Sequence, residues 1–347
     1  MRTKNFRLLS MLLCVVMLGA MLAGCNDNSA PATGSPESNA PSNESADAYP
    51  SRPIEVISQF GAGGGTDIFI RAVGVDAGKL LGQSVVPISA TGGGGLVAYD
   101  RFSTQPADGY TLYAIGPEQV FMHVWDQLNF EEELEPVIRC QMDTSFLYAK
   151  KGSQFTDIDT VVEYAKANPG KLNVAITGAA SYDEVLVNMW AKAAGIDINL
   201  VVFGSGSESI AALLGGHVDI LHEEIGPARS LIDSGDAVPL VAFTDEPITN
   251  YDIVKDVPTS VSKGWDVTIG RWRGFAVKKG TDPAIIEKLY DAFSKAMEGE
   301  IYQANEKENM LDIRPGLMNG EDFKEFIQSE IDAYSVVMDE LDIKPAA

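Results

Sequence analysis

Four short turns hold most of the chemistry that the residue types of this chain can offer. The first is Phe60-Gly61-Ala62-Gly63-Gly64-Gly65-Thr66-Asp67 and the second is Gly92-Gly93-Gly94-Gly95. The third is Thr177-Gly178-Ala179-Ala180-Ser181, and the fourth is Gly204-Ser205-Gly206-Ser207. Each follows an apolar run and opens a helix-like segment. In open α/β sheets, ligands sit beyond the carboxyl ends of strands. Glycine lets bare backbone N–H groups approach a ligand, and a helix N-terminus favours negative charge. Any one of these runs is equally a tight turn. Four of them, from two halves of the chain, point to one shared cleft for a small anion or zwitterion. Acids near strand ends, Glu118, Glu223 and Glu224, are candidates for the same cleft.

Other chemistries find less support. Gly61-x-Gly63-x-x-Thr66 approaches the dinucleotide fingerprint, but its last position is Thr and no acid ends the second strand at Ile88-Ser89 to take a ribose. There is no phosphate-cradling G-x-x-x-x-G-K-[ST] loop and no G-x-S-x-G elbow. His123, His217 and His222 lack metal-ligand spacing and have no nucleophile nearby in sequence. No catalytic residue, metal or cofactor is expected. The formal net charge is −23, which argues against nucleic acid as a partner because that needs a basic footprint. Cys140 has no expected disulfide partner and reads as a small buried apolar side chain.

The first residues read as a leader. Arg2, Lys4 and Arg7 precede an uncharged apolar run over 8–21, about 14 residues, too short for a bilayer core that takes about 20. The run ends in Leu22-Ala23-Gly24-Cys25, a lipoprotein cleavage pattern that makes Cys25 the lipidation site and 1–24 the signal peptide. Residues 25–48 then form a tether without aromatics or branched aliphatics. Such a segment cannot offset its ordering entropy and should stay flexible, reaching roughly 25 Å on average. The remaining chain suits two domains.

The elements that must hold the turns alternate. Strands are expected at 54–60, 84–89, 110–115, 146–150, 172–176, 198–203, 218–221, 239–243 and 274–278. Helices are expected at 66–81, 161–167, 185–194, 208–214, from Asp282-Pro283 onward, and at 321–339. Strand and helix in alternation give an α/β class with largely parallel sheets.

The same residues carry a resemblance to a known family. The chain resembles the solute receptors of tripartite tricarboxylate transporters, the Bug receptors. Tyr49-Pro50-Ser51-Arg52-Pro53-Ile54 is similar to the family's mature start, and residues 60–67 to its P-F-x-P-G-G-x-x-D turn. Residues 92–95 are similar to its P-G-A-G-G turn, and Ala107-Asp108-Gly109-Tyr110-Thr111-Leu112 to P-D-G-Y-T-L. Tyr164-Ala165-Lys166-Ala167-Asn168-Pro169-Gly170-Lys171-Leu172, Leu213-Leu214-Gly215-Gly216-His217-Val218-Asp219 and Asp256-Val257-Pro258-Thr259 continue the likeness in order.

The resemblance implies a periplasmic-binding-protein type II fold of two α/β lobes joined by two crossovers. Residues 49–145 and 274–347 would form one lobe and 146–273 the other. It implies no catalysis. The partners it implies are a small carboxylate, the membrane reached through the Cys25 lipid, and membrane transporter subunits; a monomer is expected, outside the cytoplasm. One carboxylate would sit on residues 60–66 and 92–95, with Thr177, Gly178 and Ser181 contributing from the other lobe. Departures from the family stand at Ser89, Ala90, Leu96, Glu184, Gly204 and Glu208, where several donors and cations give way to small, apolar or acidic residues. A ligand less anionic than citrate follows, a monocarboxylate or one bearing an amine. Arg271, Trp272 and Arg273, before the second crossover, are candidates for the cleft mouth. A ligand-sensing lipoprotein on the same fold is the alternative function.

Overall fold

The computed structural model describes residues 48–345. The expected leader, Cys25 and all of the tether but its last residue lie outside the described residues.

The chain begins with β1 (Ile54–Ser58), α1 (Gly65–Leu81), β2 (Val85–Ser89), α2 (Leu96–Ser103), β3 (Thr111–Ile115), α3 (Pro117–Val124), α4 (Phe130–Glu133) and β4 (Leu134–Asp143). It crosses at Thr144 into β5 (Ser145–Lys150), α5 (Ile158–Ala167), β6 (Asn173–Thr177), α6 (Tyr182–Ala194), β7 (Asn199–Phe203), α7 (Gly206–Gly215), β8 (Ile220–Glu224), α8 (Ile225–Ser234) and β9 (Ala237–Ala242). It returns through β10 (Arg271–Lys278), α9 (Pro283–Met297), α10 (Glu300–Glu308), β11 (Met318–Asn319) and α11 (Gly320–Leu341). Two mixed sheets result. The first has order β11-β4-β10-β3-β1-β2 and the second β7-β6-β8-β5-β9.

The local reasons are ordinary. Phe69, Val73, Ala77 and Leu81 recur on one buried stripe of α1, and Gly82 ends the helix in the left-handed conformation with φ 73°. β3 and β8 are buried along their whole length, as strands covered on both faces must be. The sheets are less parallel than expected. β10 runs antiparallel to β3 and β4, and β5 antiparallel to β8 and β9, because strands on either side of a crossover enter each sheet against its grain.

The sheets also divide the chain a few residues away from the expected boundaries. Ser145 already pairs with Glu224 in the second sheet. Arg271, Trp272 and Arg273 already pair with Asp143, Met142 and Gln141 in the first. The pairing ladders thus extend right up to both crossings. The C-terminal segment does not stay with one lobe. α11 packs on α3, β4 and α6, and Lys192 of α6 pairs with Glu340 at 2.5 Å. Met310 sits in the apolar core of the second lobe with Phe146 and Ile225. Trp272, fully buried, is clamped edge-on by Phe323 and Phe326 of α11. Burying a large apolar side chain of this kind contributes about 1.5–3 kcal/mol, so the return strand is firmly fixed beside the crossing. Cys140 is buried in the core of the first lobe.

Candidate functional site

The first turn is built so that helix donors stay open. Gly64 is the N-cap of α1 and has no side chain to accept from the amides of Gly65, Thr66 and Asp67. Residues 61–65 are exposed. Asp67 folds back instead, accepting from the Gly63 amide and from Arg71 Nε, each at 2.9 Å. The Arg71 guanidinium holds the Asp67 carboxyl below the usual carboxylate range. The second turn is set against Gln59, the residue before the first. Gly95 has φ 106°, and a Cβ there would collide with the Gln59 amide, which is itself held by Gln119 at 2.9 Å.

A small crevice opens between the first turn, the junction of β3 with α3, and β10. Phe60, Thr66, Gly116, Glu118, Gln119, Arg271 and Arg273 line it. Arg271 spends its three nitrogens on three carboxylates, each at 2.7 Å: Nη1 on Glu118 of α3, Nη2 on Asp183 of α6 and Nε on Glu224 at the end of β8. Its guanidinium also stacks over the Tyr182 ring, 4.8 Å from the centroid. One arginine from the first sheet therefore ties acids of both lobes together. Arg273 pairs through Nη1 with Asp143. Its Nη2 faces the first turn, 3.1 Å from where a Cβ on Gly65 would stand.

Charge in this low-dielectric setting is arranged by neighbours. Burial resists ionisation of Glu224, but Arg271 holds its carboxyl below the usual range. Burial resists ionisation of Asp183 too, and His222 with Arg271 overcomes it. The Asp143 carboxyl moves the other way: burial pushes it up despite Arg273. Glu223 is pushed well up, by burial first and by the adjacent Glu224 second.

The turns of the second lobe are closed upon themselves. Ser181 Oγ accepts from the Glu184 amide at 3.4 Å, while the Glu184 carboxylate accepts from the Ala180 amide at 2.7 Å. Ser205 and Glu208 repeat the device, with the Gly204 amide donating to Glu208 at 3.0 Å. The Thr177 amide donates to Asp183 at 3.0 Å, and Gly178 N–H to the Phe203 carbonyl at 3.0 Å. His222, fully buried, lies with Nδ1 3.3 Å from Asp183 Oδ2. A Cβ on Gly206 would come within 2.6 Å of Glu223 Oε2, so the fourth turn rests on that acid.

The residues singled out from sequence fall into three groups. Phe60, Thr66 and Glu118 line the crevice, and Gly65 abuts it. Gly61, Ala62, Gly63 and Gly64 are exposed on the first turn, and Gly92, Gly93 and Gly94 on the second. Thr177, Gly178, Ala179, Ser181, Gly204, Ser205 and Glu223 gather at the carboxyl edge of the second sheet without lining the crevice. Their lobe reaches it through Asp183 and Glu224 on Arg271. Glu118 and Glu224 are drawn inward rather than facing solvent. The cations absent from the turns enter instead on β10 as Arg271 and Arg273. Asp143 and Asp183 were not legible as site residues. Asp143 hides in an unexpected strand, and nothing in the sequence distinguishes Asp183 from any other acid in a first helical turn.

Comparison with known proteins supplies the family. The model of the tripartite tricarboxylate transporter family receptor matches residues 69–343. A UPF0065 protein in the gbd 5' region of Cupriavidus necator is 28% identical over 309 residues, covering 88% of this chain and 92% of the relative. Protein BugT of Bordetella pertussis is 28% identical over 262 residues, covering 74% of this chain and 79% of its own. Among solved structures, MatC from Rhodopseudomonas palustris with bound malate has TM-score 0.72 at 23% identity, covering 83% of this chain and 99% of that one. A second R. palustris protein with adipate has TM-score 0.73 at 20% identity, covering 86% and 100%. These likenesses fix the two-lobed fold, and the family match across most of the chain fixes its kinship: the chain belongs to the receptor family of the tripartite tricarboxylate transporters.

Proposed function

We propose that this protein is an extracytoplasmic, lipid-anchored solute receptor that takes a small carboxylate of low negative charge between its lobes and delivers it to a membrane transporter. The observation that carries this is the first turn: uncapped α1 amides beside Arg273 and the Thr66 hydroxyl, at the mouth of a crevice. Open helix donors next to a guanidinium suit one carboxylate. The malate and adipate of the structural neighbours are ligands of that size. The surrounding acids set the upper limit on charge. Glu118, Asp143, Asp183 and Glu224 already outnumber Arg271 and Arg273. A tricarboxylate would bring three negative charges to a site whose two arginines already face four acids, whereas a monocarboxylate would bring one and an amine-bearing one no net charge. Anchoring through Cys25 rests on the Leu22-Ala23-Gly24-Cys25 pattern.

Calorimetry against citrate, malate, adipate, propanoate and amino acids tests the ligand class. Propanoate or an amino acid should bind more tightly than citrate; the reverse order would overturn it. Cys25→Ser should move the protein from the membrane fraction to the soluble extracytoplasmic fraction.

A further inference from the structure

We infer that Arg273 reads the ligand's carboxylate and that Asp143 is its internal competitor, an assignment that rests on the carboxylate reading above and names the side chains behind it. The two arginines of β10 differ in what they have left to give. Arg271 already has a carboxylate on each of its three nitrogens, from Glu118, Asp183 and Glu224. Arg273 is held by one carboxylate through Nη1, while its side chain is 12% exposed and its Nη2 borders Gly65. Thr66 lines the same crevice at 8% exposure, and its hydroxyl has no hydrogen-bond partner among the described residues. The first amides of α1, a helix of 17 residues, lie in the same turn without a side-chain cap. A guanidinium edge, a hydroxyl and helix amides thus lie together at one crevice of about 10 Å³, which a carboxylate must widen to enter. Glu118 on the same crevice opposes a second negative group there.

Asp143 completes the device. It is 4% exposed, and its other oxygen accepts from Gln141 at 2.5 Å. Burial pushes its carboxyl upward, so it yields its charge, and with it Arg273, more readily than Glu224 yields Arg271. It is also the last residue of β4, directly before the Thr144 crossing. Exchange of Arg273 from Asp143 to a ligand therefore changes a contact at the hinge itself, linking occupancy to lobe movement.

The test is calorimetry of the full chain with propanoate, malate, adipate and glutamate, on wild type, Arg273→Gln, Asp143→Asn, Thr66→Val and the Arg273→Gln/Asp143→Asn double variant. For the probe that wild type binds, Arg273→Gln should weaken affinity at least tenfold and Thr66→Val severalfold. Asp143→Asn should tighten it severalfold, and the gain should vanish in the double variant. Tightening cannot come from damage to the fold, so Asp143→Asn decides the matter even where Arg273→Gln misfolds. Unchanged affinity in folded Arg273→Gln, or weaker binding in folded Asp143→Asn, overturns this assignment alone. Failure of all four probes to bind wild type overturns the carboxylate reading and this assignment with it.

Discussion

The two lobes open their cleft-side helices in contrasting ways from the same strand–turn–helix unit. In the first lobe the caps are glycines: Gly64 before α1 and Gly95 before α2 offer no side chain to the helix amides. In the second lobe Ser181 and Ser205 cap α6 and α7, and Glu184 and Glu208 reach back to amides of the turns. Both lobes give a turn amide to a carboxylate, Gly63 to Asp67 in the first and Ala180 and Gly204 to Glu184 and Glu208 in the second, but only the first leaves its helix amides without a side-chain cap. The second lobe therefore meets the first through acids, Asp183 and Glu224, gathered on Arg271. A glycine-rich turn in sequence signals only that donors exist; the residue at the cap decides whether the first helix amides stay available.

The largest expected effect strikes the joint between the two lobes. Arg271→Met leaves Glu118, Asp183 and Glu224 buried without their cation, and breaking a buried pair by removing one partner costs about 3–5 kcal/mol. Urea unfolding measures it; a loss under ~1 kcal/mol would mean Arg271 does not bind the lobes together. The pH dependence carries a sign. Glu224 and Asp183 are held below their ordinary values, so their contribution is present above the usual carboxylate range and is lost as pH falls through the depressed values. In Arg271→Met the Glu224 part should shrink most, while His222 keeps much of the Asp183 part, so the acid limb should flatten without vanishing.

Next in size is the paired substitution that sharpens the contrast most directly. Gly64→Val fills the open turn of the first lobe and sets a side chain beside the Gly61 carbonyl, 3.3 Å from its Cβ. It should weaken ligand binding about 100-fold, or roughly 2.7 kcal/mol. Gly204→Val meets only the movable Glu208 carboxylate, 3.2 Å away, and should change affinity less than about threefold, near 0.6 kcal/mol. Equal losses at both sites would erase the distinction between open and closed turns. A smaller test concerns the serine caps. Ser181→Ala and Ser205→Ala should each cost about 1 kcal/mol of stability in thermal or urea unfolding, with ligand affinity unmoved.

Much of this fold was legible because its signals are local. Gly82, Gly195 and the Asp282-Pro283 pair mark helix ends by backbone preference alone, and the structure places α1, α6 and α9 against them. β4 was not legible. Pro136, Arg139, Gln141 and Asp143 interrupt its apolar pattern, yet every one of them is buried. They are tolerated because partners far away in sequence satisfy them: Arg139 donates to the carbonyls of Gly316 and Pro315, and Asp143 takes Arg273, 130 residues on. The site divided in the same way. Its glycine turns are local and visible, whereas the arginine–carboxylate pairs exist only once two crossovers have brought β4 and β10 together.

The smallest effect is a gain, and it tests whether the acids of the second lobe are all engaged as Asp183 and Glu224 are. Glu223 is 6% exposed and accepts from the Glu224 amide at 3.1 Å, but no cation pairs with it among the described residues. Burial pushes its carboxyl well up. The folded state thus prefers it protonated, and the associated stability, full below the ordinary carboxylate range, is lost as pH rises through the raised value. Glu223→Gln removes that loss while keeping an acceptor for the Glu224 amide. It should raise the melting temperature by roughly 2–4 °C near pH 8 and do nothing near pH 4. A Glu223→Gln protein that melts lower than wild type at pH 8 would show that this carboxylate, like its neighbours, is held in its charged form.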